Sequence, residues 1–242
     1  MVSILIPSNF ITPHFEALGG CRLTLMEIIL KLVSFFVPVT KKIRSEHSGD
    51  LEVTLFEGKK VLDTTHVNYS YGSLQKVLEF ALRKIDLSDV KNVLVLGVGG
   101  GSVIKSLREV FEYKQEIVGV ELDPVIIQIA NQEFGVRPDD YTEIVCTDAY
   151  EYIAKDSKKF DLIIVDLFID NKIPEKFLSM EFWKNVKSKV RYNGSIIFNS
   201  MNIDRRTFER IKSPLRWEFA ISEYANVEKA NHLMIARWRQ EV

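Results

Sequence analysis

Between residues 92 and 198 five short apolar runs recur, and stretches with helical spacing separate them. This alternation constrains the fold more than any other feature of the chain. The runs lie at 92–96, 116–120, 142–146, 162–165 and 195–198. They are nearly continuous in Val, Ile and Leu rather than alternating with polar residues. Such runs are strands buried on both faces. The stretches between them, near 103–113, 125–133, 150–155 and 176–190, place apolar residues three and four apart. Strand and helix in strict alternation predict an α/β fold with a parallel sheet covered on both sides, its crossovers right-handed. The tail differs. Residues 217–225 and 232–238 are strand-like with only a short polar link. They predict an antiparallel pair at one edge of the sheet.

The first third of the chain reads differently. Leu51, Val53 and Leu55 alternate with Glu52, Thr54 and Phe56, then Glu57-Gly58-Lys59-Lys60 and Val61-Leu62 follow, a β-hairpin with a glycine turn. This divides the chain into residues 1–41, an irregular segment with an amphipathic helix; 42–75, a small β-hairpin domain; and 76–242, the α/β domain. Leu25, Ile28, Ile29, Leu32 and Phe36 share helical spacing, but Arg22, Glu27 and Lys31 interrupt the run and Pro38 stops it. It falls short of the ~20 apolar residues a bilayer span needs, so no membrane span is expected. Met26 stands as an alternative start of translation.

Thirty-two basic residues oppose thirty-three acidic ones, for a formal charge of −1. That balance argues against a chain whose main partner is nucleic acid. Two distant cysteines and four scattered histidines offer no disulfide framework and no zinc spacing. No metal is expected, and a reducing cytoplasm is the expected location.

In open α/β sheets ligands lie beyond the carboxyl ends of the strands, and polar features gather there. Gly97-Val98-Gly99-Gly100-Gly101-Ser102 follows the first run and opens a helix. Gly97, Gly99 and Gly101 let the backbone turn and bring free N–H groups close to a ligand. Glu121 ends the second run, where an acid can accept hydrogen bonds from ribose hydroxyls. Asp148 follows the third, suited to an exocyclic adenine amine or equally to capping the next helix. Asp166 closes the fourth and is poorly explained by packing. It can orient a nucleophile or take its proton. Asp170 lies in the following loop. Tyr71 and Gln75, four apart, can share one helical face turned toward an acceptor, or Tyr71 can equally pack the hairpin onto the domain. A nicotinamide-dependent dehydrogenase fits poorly, because the third glycine of its fingerprint falls on Ser102.

The run from Val93 to Asp166 resembles the Rossmann-like class I S-adenosylmethionine-dependent methyltransferase fold, a mostly parallel seven-stranded sheet with an antiparallel C-terminal edge. From about Lys42 to Trp238 the pattern is similar to the spermidine synthase (aminopropyltransferase) family. Residues 51–75 resemble its N-terminal β-domain. Gly97–Ser102, Glu121-Leu122-Asp123 and Asp148-Ala149 resemble its glycine loop, Glu-Ile-Asp segment and Asp-Gly pair. The resemblance implies S-adenosylmethionine or its decarboxylated form as cofactor, Asp166 as the catalytic acid, a small-molecule acceptor and, by analogy, a homodimer. Three departures matter. Gly100 stands where the family has an Asp that contacts the amino end of the decarboxylated cofactor. Gly72-Ser73 replaces an acid after Tyr71. Asp166-Leu167-Phe168-Ile169-Asp170 replaces Asp-Ser-Ser/Thr-Asp-Pro.

A dication such as putrescine calls for several carboxylates, and this chain has fewer. The expectation is therefore methyl transfer to a small acceptor. The alternatives are aminopropyl transfer to putrescine and a non-catalytic module that retains the cofactor pocket.

Overall fold

The structure is a computed structural model, described here for residues 4–6, 25–64, 67–70, 73–155, 157–169, 172–201, 203–229 and 231–239. The chain divides into two compact units, Met1–Tyr71 and Gly72–Val242.

The first unit contains β1 (Ile4–Ile6), α1 (Leu25–Val33), β2 (Val39–Ser45), β3 (Gly49–Phe56), β4 (Lys59–Thr64) and β5 (Val67–Ser70). The strands form one sheet in sequence order, β1 parallel to β2 and the rest antiparallel. The hairpin read from the sequence is its β3–β4 pair, turning through Glu57 and Gly58, both at positive φ. The residues that end and follow α1 meet this turn. The buried Ser34 hydroxyl donates to the Lys31 carbonyl and accepts from the Gly58 N–H, 2.6 and 3.1 Å. Leu25, Ile28, Leu32 and Phe36 remain exposed. Among the described residues, no helix is long and apolar enough to cross a membrane.

The second unit contains α2 (Ser73–Leu82), β6 (Asn92–Leu96), α3 (Ser102–Glu109), β7 (Glu116–Glu121), α4 (Pro124–Phe134), β8 (Thr142–Cys146), α5 (Ala149–Lys155), β9 (Phe160–Val165), α6 (Met180–Lys189), β10 (Val190–Met201), α7 (Arg205–Lys212), β11 (Phe219–Val227) and β12 (Asn231–Trp238). Its seven strands are ordered β11-β12-β10-β9-β6-β7-β8. All pairs from β10 to β8 are parallel, and β12 is antiparallel to both its neighbours. The chain starts at β6, moves outward through β7 and β8, then returns to β9 on the other side. The switch point therefore lies between β6 and β9.

The period of two along each strand sends alternate residues to opposite faces. Leu94, Leu96, Ile163, Val165, Ile196 and Phe198 pack with Phe182, Trp183 and Phe208 on one face. Val93, Val95, Leu162, Ile164 and Ile197 pack with Val77, Leu78, Ile104 and Leu107 on the other. Trp183 is fully buried, meets Phe182 and Phe198 edge to face, and donates from Nε1 to the Phe177 carbonyl at 2.9 Å. Trp183→Ala is expected to cost about 3–5 kcal/mol, read as a lower midpoint in urea unfolding with the slope unchanged.

Three boundaries differ from the sequence pattern. The stretch near 176–190 begins as a 3₁₀ turn, Glu175–Leu178, and becomes α6 only after Ser179, whose Oγ accepts from the Phe182 N–H. The run at 195–198 is the middle of a twelve-residue β10 that starts at Val190. Helix α7 has no counterpart among the apolar runs. Asp204 caps it, accepting from the Thr207 N–H and hydroxyl, 3.0 and 2.6 Å.

Candidate functional site

At the switch point the carboxyl ends of β6 and β9 meet backbone to backbone. The Asp166 N–H donates to the Leu96 carbonyl and the Gly97 N–H to the Val120 carbonyl, both at 2.9 Å. A Cβ on Gly97 would stand 2.2 Å from the Asp166 carbonyl oxygen. Gly97, at φ +89°, is thus glycine because Asp166 lies against it, a reason distinct from ligand approach. Gly101 precedes α3 in the left-handed region with no side-chain cap. The first N–H groups of that helix are therefore not used by a cap and favour a polar or anionic group.

Glu121 is bound tightly to this loop. One carboxylate oxygen accepts from the N–H groups of Val98 and Gly99 at 3.1 and 3.0 Å. The other accepts from Leu122 and Asp123 at 2.9 and 3.1 Å. Burial pushes its pKa up, and the backbone N–H groups oppose that by favouring the charged form. These four contacts occupy the acceptor capacity of a carboxylate. Glu121 therefore stitches the glycine loop to the start of α4, which Asp123 caps through the Val125 N–H.

Asp166 sits half-buried beside the loop. Its Oδ1 accepts from Asn199 Nδ2 at 2.9 Å. Burial drives its pKa up to about 6, and the Asn199 bond acts in the opposite direction. Asp148 accepts from the Tyr150 N–H at 2.8 Å, so it caps the first turn of α5, and it also pairs with Lys176 Nζ. Each Asp148 oxygen keeps a free lone pair beside these contacts. Gln75 Nε2 donates to Glu79 Oε1 and Ser106 Oγ, 2.9 and 3.2 Å, and so links α2 to α3. Tyr71 and Asp170 lie outside the described residues.

Thus Gly97, Gly99, Gly101, Glu121, Asp148 and Asp166 all stand at carboxyl ends of adjacent strands. Asn199 and Lys176 did not emerge from the sequence. Each matters only through a partner distant in the chain, 33 residues for Asn199 and 28 for Lys176. The local patterns around them, a polar residue ending an apolar strand and a lysine opening a helical stretch, carry no distinctive signal.

The model of the spermine/spermidine synthase domain matches residues 78–228, which span the sheet from α2 to β11. The chain belongs to the spermine/spermidine synthase family. Two curated polyamine aminopropyltransferases are among its relatives. That of Vibrio vulnificus is 33% identical over 119 residues, 48% of this chain and 39% of the relative. That of Sulfolobus acidocaldarius is 31% identical over 146 residues, 56% of this chain and 47% of the relative. The matched stretch is less than half the length of either. Two solved structures share the fold. Spermidine synthase from Thermotoga maritima has a TM-score of 0.61 at 18% identity, covering 81% of this chain and 71% of its own. Human methyltransferase-like protein 13, solved with SAH, has a TM-score of 0.61 at 23% identity, covering 71% and 84%. The Rossmann-like methyltransferase fold read from the sequence is the fold of this family member.

Proposed function

We propose that this family member is a group transferase that binds an adenosyl sulfonium cofactor, and that its reaction is aminopropyl transfer from decarboxylated S-adenosylmethionine to a small amine of the putrescine class. The sequence pattern ranked methyl transfer first. The relatives named polyamine aminopropyltransferases favour the opposite order. The observation that carries the reading is the Asp166 carboxylate, held by Asn199 Nδ2 at 2.9 Å at the carboxyl end of β9, where the Asp166 backbone lies against Gly97.

The cofactor supplies an electrophilic carbon next to its sulfonium and a neutral thioether leaving group. The chain supplies position and a base. The loop from Gly97 to Gly101 and the uncapped start of α3 fit a polar group of the cofactor. Asp148 retains lone pairs for an adenine amine. Glu121 would accept the ribose hydroxyls by giving up some of its four backbone donors. At pH 7.5 Asp166 is mostly ionised, and partial desolvation makes it a better base than a surface aspartate. It would hold the acceptor amine and take its proton as the new carbon–nitrogen bond forms. Tyr71, Gln75 and Asp170 are the proposed acceptor-side residues, and a homodimer is the proposed assembly.

Methyl transfer remains the second reading. It is favoured by Gly100, which brings no carboxylate to the glycine loop to repel an undecarboxylated cofactor, and by apolar Leu167 and Phe168 after Asp166. Calorimetric titration with each cofactor, followed by mass analysis of products from an amine panel, separates the readings. Tighter binding of the decarboxylated form and an aminopropylated product are expected. Selective binding of S-adenosylmethionine with a methylated product would establish the second reading. Binding without turnover across the panel would leave a cofactor-binding module.

A further inference from the structure

Asn199 ends the apolar stretch of β10, one residue beyond Phe198, which pairs in register with Val165 of β9. This puts it directly beside Asp166. Its side chain is fully buried. Nδ2 donates to Asp166 Oδ1 at 2.9 Å, while Oδ1 is buried and accepts no hydrogen bond among the described residues. A buried acceptor without a partner destabilises a fold. A leucine, with the same number of side-chain heavy atoms, would carry no such acceptor. The asparagine is therefore explained by what its bond to Asp166 does.

We infer that Asn199 is a positioning residue for Asp166: its amide anchors one carboxylate oxygen at the end of β9. This deepens the proposed function and rests on Asp166 as the reacting carboxylate. Among the described residues, groups from the neighbouring strands meet Asp166. The β6 side presents the Leu96 carbonyl and Gly97, and the β10 side presents Asn199. Glu121 of β7 is committed to backbone donors, and Asp148 after β8 to Lys176. Burial and the Asn199 bond are the causes acting on the Asp166 carboxyl.

The test is a carbon-detected NMR titration of the Asp166 carboxyl in the full chain without cofactor, its resonance assigned with Asp166→Asn. In Asn199→Leu the midpoint is expected to rise by about one unit or more. Where turnover is measurable, the acid limb of its pH profile moves by the same amount. A purely structural asparagine would leave the midpoint in place, and an unmoved midpoint overturns the inference. Asn199→Asp serves where Asn199→Leu yields no folded protein. Its two touching carboxylates should titrate as a coupled pair, with one midpoint well above that of Asp166 alone, and two ordinary midpoints would overturn the inference. Absence of turnover in the parent protein would count against the proposed function and not against the titration.

Discussion

Asp166→Asn is expected to lower kcat/KM by about 10²–10⁴-fold, the usual share of a positioned base, and at the same time to make the fold more stable above pH 6. The stability gain follows from the direction of the shift. The Asp166 pKa is raised from 3.8 to about 6 in the folded chain. Its contribution to stability is thus fully present below about pH 4 and is lost as pH rises through 6. A shift of that size corresponds to at most roughly 3 kcal/mol, less whatever solvent access to a half-buried group screens. Asparagine is neutral at every pH, and its side-chain oxygen can still accept from Asn199. Thermal melts of the two proteins should therefore differ little at pH 4 and by several degrees at pH 8. A variant no more stable at pH 8 than its parent would show that Asp166 is not a desolvated carboxylate.

Gly97→Ala is expected to be the most damaging single-methyl change in the glycine loop. The new Cβ would lie 2.2 Å from the Asp166 carbonyl oxygen, in a backbone at φ +89°. The obstacle is backbone, so no side chain can move aside. Relief requires the ends of β6 and β9 to part, breaking the Asp166 N–H to Leu96 bond. A loss of about 3 kcal/mol or more is expected from strain and clash together, with cofactor affinity falling at least tenfold in calorimetry. Gly135→Ala is the control. It also has a positive φ, but its Cβ would meet nothing within 4 Å, so only the conformational cost of about 1–2 kcal/mol should appear.

The fold was legible where hydrophobic texture alone decides it. Runs such as 162–165 and 195–198 are apolar on both faces because both faces are covered, and that pattern survives in one dimension. The acids at strand ends were legible for the complementary reason: Glu121 and Asp166 each close a strand whose burial gives them no packing role. What those acids touch was not legible. Ribose binding was the expectation for Glu121, yet its oxygens hold four backbone N–H groups of two neighbouring turns. Asp148 was open between cap and ligand, and the Tyr150 N–H and Lys176 both reach it. Asn199 escaped notice because its meaning lies across the β9–β10 pairing. Helix α7 has little signal in one dimension despite its Asp204 cap, since Arg205-Arg206-Thr207 masks the apolar Phe208 and Ile211 that it buries.

The central claim is that the edge between β6 and β9 holds an adenosyl sulfonium compound with its reactive carbon facing Asp166. A crystal structure of the chain with decarboxylated S-adenosylmethionine, and a second with S-adenosylmethionine, tests it most directly. The account predicts the adenine beside Asp148, the ribose at Glu121 and the sulfonium between Gly97 and the Asp166 carboxylate. Either compound bound away from the Gly97–Gly101 loop, or with its sulfonium turned from Asp166, would contradict it.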